Sequence, residues 1–269
     1  MRNKLDFSAK VVIVTGGGKG VGRGISERFL QHGATVIICG RSQPDTLPSA
    51  DGKEAVFFPI DVRDADAIQN LVNTVASQYG RIDVLVNNAG GAPAADAATV
   101  SPRFSESIIR LNLLAPLNFS QSCNTVMQNQ DSGGAIINIA SVSAVRPSPG
   151  TAAYGAAKAG LVSLTSSLAV EWAPKVRSNT IIAGLIRTEQ AHLHYGDEAG
   201  IAAIGNTIPL GRMAIPEDIG DACLFLASDL ASYVSGSTLT LHGGGEKPAF
   251  LGAANVDYCL LYTSPSPRD

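Results

Sequence analysis

The sequence predicts an α/β protein built on a parallel sheet with helices on both faces. Three observations carry that expectation. Short β-branched runs alternate with stretches of helical periodicity, the helices are long enough to return the chain to the same sheet edge, and a glycine-rich turn joins the first strand to the first helix. With 269 residues, 45% of them hydrophobic and 16% charged, the chain can bury a large core and lies far from disordered composition.

Val11, Val12, Ile13 and Val14 sit between Lys10 and the glycine cluster, the pattern of a buried parallel strand. Over 21–32 apolar residues recur at helical spacing, with Ile25, Phe29 and Leu30 on one face and Gly33 as the cap. A strand over 35–39, a strand over 55–60, a helix over 64–79 and a strand over 84–87 continue the alternation. One long helix is expected over 102–130, then a strand over 135–141, a helix over 153–173 and a strand over 177–182. A loop with short helices, a helix over 216–226 and a last strand near 238–242 complete the pattern. No linker, repeat or low-complexity stretch interrupts residues 1–258, which therefore read as a single domain, Rossmann-like and doubly wound. Residues 259–269, CLLYTSPSPRD, break abruptly from what precedes them and back-translate as a transposase sequencing adapter read in frame. They are set aside as an artefact, Cys259 included.

Composition excludes several classes of function. A formal net charge of −3 with no basic block gives no footprint for nucleic acid. No apolar run approaches the roughly 18 residues of a membrane-spanning helix. Residues 1–10 are mixed and polar, and Cys39, Cys123 and Cys223 show no CxxC spacing, so a cytoplasmic protein with reduced thiols is expected. His192 and His194 form an HxH without a third ligand at suitable spacing, so no metal is expected.

After the first strand comes Thr15, Gly16, Gly17, Gly18, Lys19, Gly20, Val21 and Gly22, opening directly into a helix. Glycines at 16, 20 and 22 let the backbone turn tightly and approach a pyrophosphate, for which the helix N-terminus offers free N–H groups and a positive dipole end. The strand before and helix after make this a dinucleotide site. An acidic residue ending the second strand would bind a ribose 2′-hydroxyl, whereas an arginine would hold a 2′-phosphate. Here Gly40 is followed by Arg41 and Ser42, and Lys19 lies in the loop. Two cations and no carboxylate favour NADP(H), with NAD(H) as the alternative.

Tyr154 and Lys158 are spaced i,i+4 near the start of a helix, which places them on one face. A free tyrosine is a poor base near neutrality, but a neighbouring ammonium and an oxidised nicotinamide ring both favour the phenolate. A drop of about three pKa units corresponds to about 4 kcal/mol. Thirteen residues earlier Ser141 ends a strand at the sheet edge that faces ligand, where its hydroxyl could hold a carbonyl oxygen beside the Tyr154 phenol. Asn87, Asn88, Ala89 and Gly90 follow another strand at the same edge, and Asn112 lies in the next helix.

These motifs, in this order, resemble the short-chain dehydrogenase/reductase family in its single-domain form, close to the 3-oxoacyl reductases. The resemblance spans 10–245 and rests on the TGxxxGxG loop, Asp61 with Val62, the NNAG segment, Asn112, Ser141, and Tyr154 with Lys158. It implies that Asp61 and Val62 flank the adenine and that Asn88, Ala89 and Gly90 line the cofactor cleft. It also implies an Asn112–Ser141–Tyr154–Lys158 tetrad. Tyr154 would be the general acid in reduction and base in oxidation, and Ser141 would orient the carbonyl. Lys158 would bind the nicotinamide ribose and lower the tyrosine pKa, and Asn112 would hold a relay water. Ser143 is a candidate second contact, with a plain loop hydroxyl as the alternative.

Two departures stand out. The family's Pro-Gly after the sixth strand is Ala183-Gly184 here, which is expected to loosen the turn, although Gly184, Ile186 and Thr188 still match the nicotinamide-contacting stretch. Ser178 replaces an apolar residue inside a strand.

The stretch 189–210 corresponds to a substrate lid, with Gly196 and Gly200 as hinges and Ile201, Ile204, Ile208 and Leu210 as its apolar side. The family implies either apolar or CoA-linked ketones and secondary alcohols, steroid-like compounds among them, or 3-oxoacyl carrier-protein thioesters. An acidic carrier calls for cations near the entrance, and Met127 to Asp131 supplies none. The expectation is therefore an apolar or CoA-linked ketone, with the carrier-protein reductase as alternative and a non-catalytic cofactor-binding protein as a remote one. Trp172 reads as core or subunit packing. A homotetramer or homodimer is implied by the family, and Ala156, Ala159, Gly160 and Ser163 form a small-residue face suited to close helix packing.

Overall fold

The computed structural model describes residues 4–253, so the adapter-like segment lies outside the described residues. Seven strands form the main sheet: β1 (Val11–Thr15), β2 (Thr35–Gly40), β3 (Val56–Pro59), β4 (Val84–Asn87), β5 (Gly134–Ser141), β6 (Val176–Ala183) and β7 (Thr238–Leu241). Their order across the sheet is β3-β2-β1-β4-β5-β6-β7, and every neighbouring pair is parallel. A two-residue antiparallel pair, Ser49–Ala50 with Lys53–Glu54, lies between β2 and β3 and is too short to leave a periodic signal. The helices are α1 (Gly20–Gln31), α2 (Ala65–Tyr79), α3 (Pro102–Ile109), α4 (Ala115–Gln128), α5 (Ala152–Glu171), α6 (His192–Tyr195), α7 (Glu198–Thr207), α8 (Pro216–Ala227) and α9 (Ala249–Ala253).

The strand side chains alternate between two cores, as a sheet covered on both faces requires. Val12, Val14, Val36, Ile38 and Ile137 point to one side, where Ile25, Phe29 and Leu30 of α1 and Ile219 and Leu224 of α8 cover them. Ile13, Ile37, Leu85 and Ile136 point to the other, against Leu71 and Val75 of α2 and Phe119, Cys123 and Met127 of α4. Trp172 packs on this second core, as expected. Local chemistry sets the helix ends. Asp64 accepts from the Asp66 and Ala67 N–H groups at the start of α2, and Gly80 ends it with φ 73°.

The helix expected over 102–130 is not continuous. Five residues, Arg110–Leu114, form a π-turn between α3 and α4. Pro116 has no N–H to give the Asn112 carbonyl, and its ring would press on that carbonyl in an unbroken α-helix. The wider turn relieves the conflict, with the Ala115 N–H reaching the Arg110 carbonyl instead.

A row of buried polar side chains crosses the sheet beneath the site. Asn87 Nδ2 donates to Asn138 Oδ1 at 2.8 Å and to Ser120 Oγ at 3.0 Å. Asn138 Nδ2 donates to Thr165 Oγ1 at 2.9 Å, and Thr180 Oγ1 donates to Thr165 Oγ1 at 2.7 Å. The row fixes α5 against β5 and β6 through directional bonds that apolar packing alone would not supply.

Ser178, on β6, is fully buried and its hydroxyl has no hydrogen-bond partner among the described residues. Burying an unpartnered hydroxyl costs about 1–3 kcal/mol. Ser178→Ala should therefore raise the melting temperature by about 2–4 °C, corresponding to about 1 kcal/mol in a chain of this size. Scanning calorimetry checks this, and a lower melting temperature would show that the hydroxyl contributes to the native state.

Candidate active site

From β1 the chain runs outward to β2 and β3, whereas β4 lies on the other flank of β1. The loops leaving β1 and β4 therefore part, and a cleft opens at the carboxyl ends of the strands. It encloses about 700 Å³, a volume suited to a dinucleotide.

The glycine loop forms one wall. Gly16 has φ +64°, and a Cβ on Gly22 would lie 2.2 Å from the Gly16 carbonyl oxygen, so neither position accepts a side chain without moving the loop. Thr15 Oγ1 accepts from the N–H groups of Asn88 (3.0 Å) and Ala89 (2.9 Å), and Asn88 Nδ2 donates to the Thr15 carbonyl at 3.0 Å. These bonds tie the loop after β4 to the glycine loop. Gly16, Lys19, Val21, Gly22, Arg41, Asp61, Val62, Asn88, Ala89, Gly90, Gly184 and Ile186 all line the cleft, so the expected cofactor residues converge. Five do not reach its wall: Gly18, Gly20, Ser42, Thr188 and the buried Lys158. Gly18 packs against Pro44, Ser42 is exposed, and Thr188 sits beside Gly20. The Gly20 N–H donates to Glu189 Oε1 at 2.9 Å. That bond ties the root of the lid to the glycine loop across 169 positions, and no local sequence pattern marks it.

The turn at Gly184, where the proline is missing, is held by sheet pairing. Ala183 pairs with Ser141 and Leu241, the Gly184 N–H donates to the Leu241 carbonyl at 2.8 Å, and Ile186 bridges to Ala214.

Ser141 ends β5 and Tyr154 lies in the first turn of α5, with the Ser141 hydroxyl near enough to the Tyr154 phenol to lower its pKa. Both groups line the cleft. Lys158, one turn further, is 3% exposed, and its Nζ lies 5.7 Å from the Tyr154 ring centre. Nζ donates to the Ile139 carbonyl at 2.8 Å. Burial pushes the Lys158 ammonium down to about 8. It also pushes the Tyr154 phenol above its ordinary value, against the smaller lowering effect of Ser141. With burial its largest influence, the phenol holds its proton at neutral pH, the state required of a proton donor.

Asn112 lies in the π-turn and is fully buried. Its Oδ1 accepts from the Gly91 N–H and its Nδ2 donates to the Gly91 carbonyl, both at 2.9 Å, so the side chain clamps the loop after β4. A Cβ on Gly90 would meet Asn112 Oδ1 at 2.6 Å and Lys158 Nζ at 3.2 Å, which places all three residues together. Ser143 takes the plainer of its two readings: its hydroxyl accepts from Ser148 Oγ at 3.0 Å within the loop.

Ile201 and Ile208 are buried in a small cluster with Ala191 and Met213, whereas Leu210 is exposed. A cavity of about 370 Å³ shares Gly184 with the cleft and is walled by Val142, Val145, Leu185 and Ile208, with the Arg146–Glu246 ion pair (2.8 Å) at its rim. His192 and His194 are exposed, and among the described residues no group of three or more His, Cys, Asp or Glu side chains is placed to hold a metal ion. No helix among them is long and apolar enough to cross a membrane.

Comparison with known proteins places this geometry among relatives. A family model described as enoyl-(acyl carrier protein) reductase matches residues 16–246. A 3alpha-hydroxysteroid dehydrogenase of Mediterraneibacter gnavus is 36% identical over 244 residues, covering 87% of this chain and 96% of the relative. The 3-oxoacyl-(acyl-carrier-protein) reductase FabG of Chlamydia trachomatis is 36% identical over the same shares. Among solved structures, the aldohexose dehydrogenase of Thermoplasma acidophilum superposes with TM-score 0.82 at 30% identity, covering 94% of this chain and 97% of that one. A Beutenbergia cavernae protein described as an NAD(P)-dependent gluconate 5-dehydrogenase, with NADP bound at low occupancy, gives TM-score 0.82 at 35% identity over 90% and 98% of the two chains.

Proposed function

Because the chain belongs to the short-chain dehydrogenase/reductase family, an NAD(P)-dependent oxidoreductase family, we propose that it interconverts a ketone and a secondary alcohol with NADP(H), using Tyr154 as acid and base. The observation that carries this reading is the Ser141–Tyr154 hydroxyl pair at the cleft, set over the buried Lys158 ammonium. When bound, the reduced nicotinamide supplies a hydride to the carbonyl carbon. Ser141 holds the carbonyl oxygen, and Tyr154 gives that oxygen its phenolic proton as negative charge builds there. Lys158 stabilises the resulting phenolate. Asn112 keeps the Gly90–Gly91 loop against Lys158, and its carbonyl, freed from the α-helical ladder by Pro116, is the group that would hold the relay water. In oxidation the same proton moves the other way. The intact Ser141, Tyr154 and Lys158 speak against a non-catalytic role.

Lys19 and Arg41 support NADP(H). Both line the cleft, and neither side chain makes a hydrogen bond or ion pair among the described residues. Free cations are the partners a 2′-phosphate needs. Arg41→Asp should weaken NADPH at least about tenfold relative to NADH, the cost of exchanging one attraction for a repulsion. Fluorescence titration of both cofactors checks this, and an unchanged ratio would remove Arg41 from phosphate recognition.

The apolar cavity walled by Val142, Leu185 and Ile208 supports an apolar or CoA-linked substrate. Ranking kcat/KM over ring ketones, 3-oxoacyl-CoA and 3-oxoacyl carrier-protein thioesters tests this. A strong preference for the carrier-bound thioester would replace the reading with a reductase of fatty-acid synthesis. The exposed α5 residues Ala156, Ala159 and Ser163 support packing against a second copy in a homotetramer or homodimer, and three buried free thiols suit a reducing cytoplasm.

A further inference from the structure

Arg63 formed no part of the sequence expectation, yet it lines the adenosine end of the cleft with Lys19, Arg41 and Asp61. Sheet register explains why these groups meet. Gly40, the last residue of β2, lies opposite Pro59, the last of β3, and the Ile60 N–H donates to the Gly40 carbonyl at 2.9 Å. Arg41 and Asp61 therefore leave the sheet side by side, near enough that the Arg41 charge is felt at the Asp61 carboxylate.

That proximity creates a conflict. A carboxylate beside a guanidinium competes for it, and it also repels any phosphate brought to the same guanidinium. Asp61 is engaged elsewhere in this chain. Arg63 Nε donates to its two oxygens at 3.0 and 3.2 Å, Arg63 Nη2 to Oδ2 at 2.5 Å, and the Arg63 backbone N–H to Oδ1 at 3.0 Å. Asp61 consequently sits far down the carboxylate range, at about 2, with Arg63 the largest cause and Arg41 the smallest. Arg41 is left without a hydrogen bond or ion pair among the described residues.

We propose that Arg63 sets cofactor selectivity indirectly: by holding the Asp61 carboxylate it keeps Arg41 available for the 2′-phosphate of NADP(H). Arg63 is a positioning residue here, acting through Asp61 and Arg41 without touching the phosphate. The role rests on the NADP(H) reading above. Because the Arg63–Asp61 pair faces solvent, with side chains 39% and 36% exposed, the effect is a matter of several-fold and not of orders of magnitude.

The test is a set of dissociation constants for NADPH and NADH, measured by fluorescence titration on the purified protein. Arg63→Met should lower the preference for NADPH over NADH by about three- to tenfold, mainly through weaker NADPH binding. Adding Asp61→Asn should restore most of that preference, because the freed carboxylate is then gone. Two results would overturn the proposal: Arg63→Met weakening both cofactors equally, as simple packing on the adenine would, or a double variant that recovers nothing. Arg41→Ala separates the two levels. If it leaves a preference for NADPH intact, the phosphate does not lie on Arg41 and the Arg63 role falls, whereas a wild type that prefers NADH would overturn the NADP(H) reading as well. If it abolishes the preference while Arg63→Met changes nothing, only the Arg63 role falls.

Discussion

Tyr154→Phe should abolish carbonyl reduction while leaving cofactor binding in place. The substitution removes one hydroxyl from the first turn of α5 and keeps the ring over Lys158 Nζ. General acid–base catalysis by a positioned group is worth about 10²- to 10⁴-fold, and the other thiol or phenol lining the cleft among the described residues, Cys39, is buried and pushed up to about 12. Turnover should therefore fall by about 10³-fold, with the NADPH dissociation constant changing by less than about twofold. Steady-state kinetics and fluorescence titration on the same preparation check both halves. Retained turnover would remove the tyrosine from the chemistry, and lost NADPH binding would mean that the ring, and not the proton, was the essential part.

Lys158→Met should separate function from stability in opposite directions. An ammonium that is 3% exposed carries a desolvation cost, visible as its fall from 10.5 to about 8. A fall of that size corresponds to about 3 kcal/mol, against which the lost bond to the Ile139 carbonyl sets about 1 kcal/mol. The net gain of about 2 kcal/mol predicts a melting temperature higher by about 4–8 °C. The sign follows from linkage. The native pKa lies below the unfolded one, so the cost is fully present below pH 8 and fades as pH rises toward the unfolded value. The advantage of the variant should accordingly be largest near neutrality and shrink through the alkaline range, a pattern that simple repacking would not produce. Reduction should fall by about 10²-fold, because the phenolate left after proton transfer loses its cation. Calorimetry across pH, paired with kinetics, checks the opposition; a destabilised variant would show that Lys158 holds α5 to β5 more strongly than its burial opposes it.

Much of this architecture was legible from residue order, for identifiable physical reasons. The strands announce themselves because both faces of the sheet are covered, which demands runs such as Val11 to Val14. The glycine loop and the Tyr154–Lys158 pair are local patterns, and Ser141 ends a strand whose direction the alternation sets. What stayed hidden was long-range or compensatory. The π-turn at Arg110–Leu114 depends on Pro116 within an otherwise helical periodicity, which hydrophobic spacing cannot register. The Glu189–Gly20 contact and the Arg63–Asp61–Arg41 arrangement depend on which loops the sheet order brings together. The bond from the Gly184 N–H to the Leu241 carbonyl is likewise long-range and leaves no local mark.

The central claim is that the hydroxyl pair over Lys158 serves hydride transfer between NADP(H) and a carbonyl. NADPH deuterated at the transferring position of nicotinamide C4, mixed with the purified protein and the ketone panel, tests it most directly. The account predicts a secondary alcohol carrying one deuterium at the carbinol carbon for each NADPH consumed, formed by the wild type and not by Tyr154→Phe. Tight NADPH binding with no labelled alcohol from any carbonyl would contradict it.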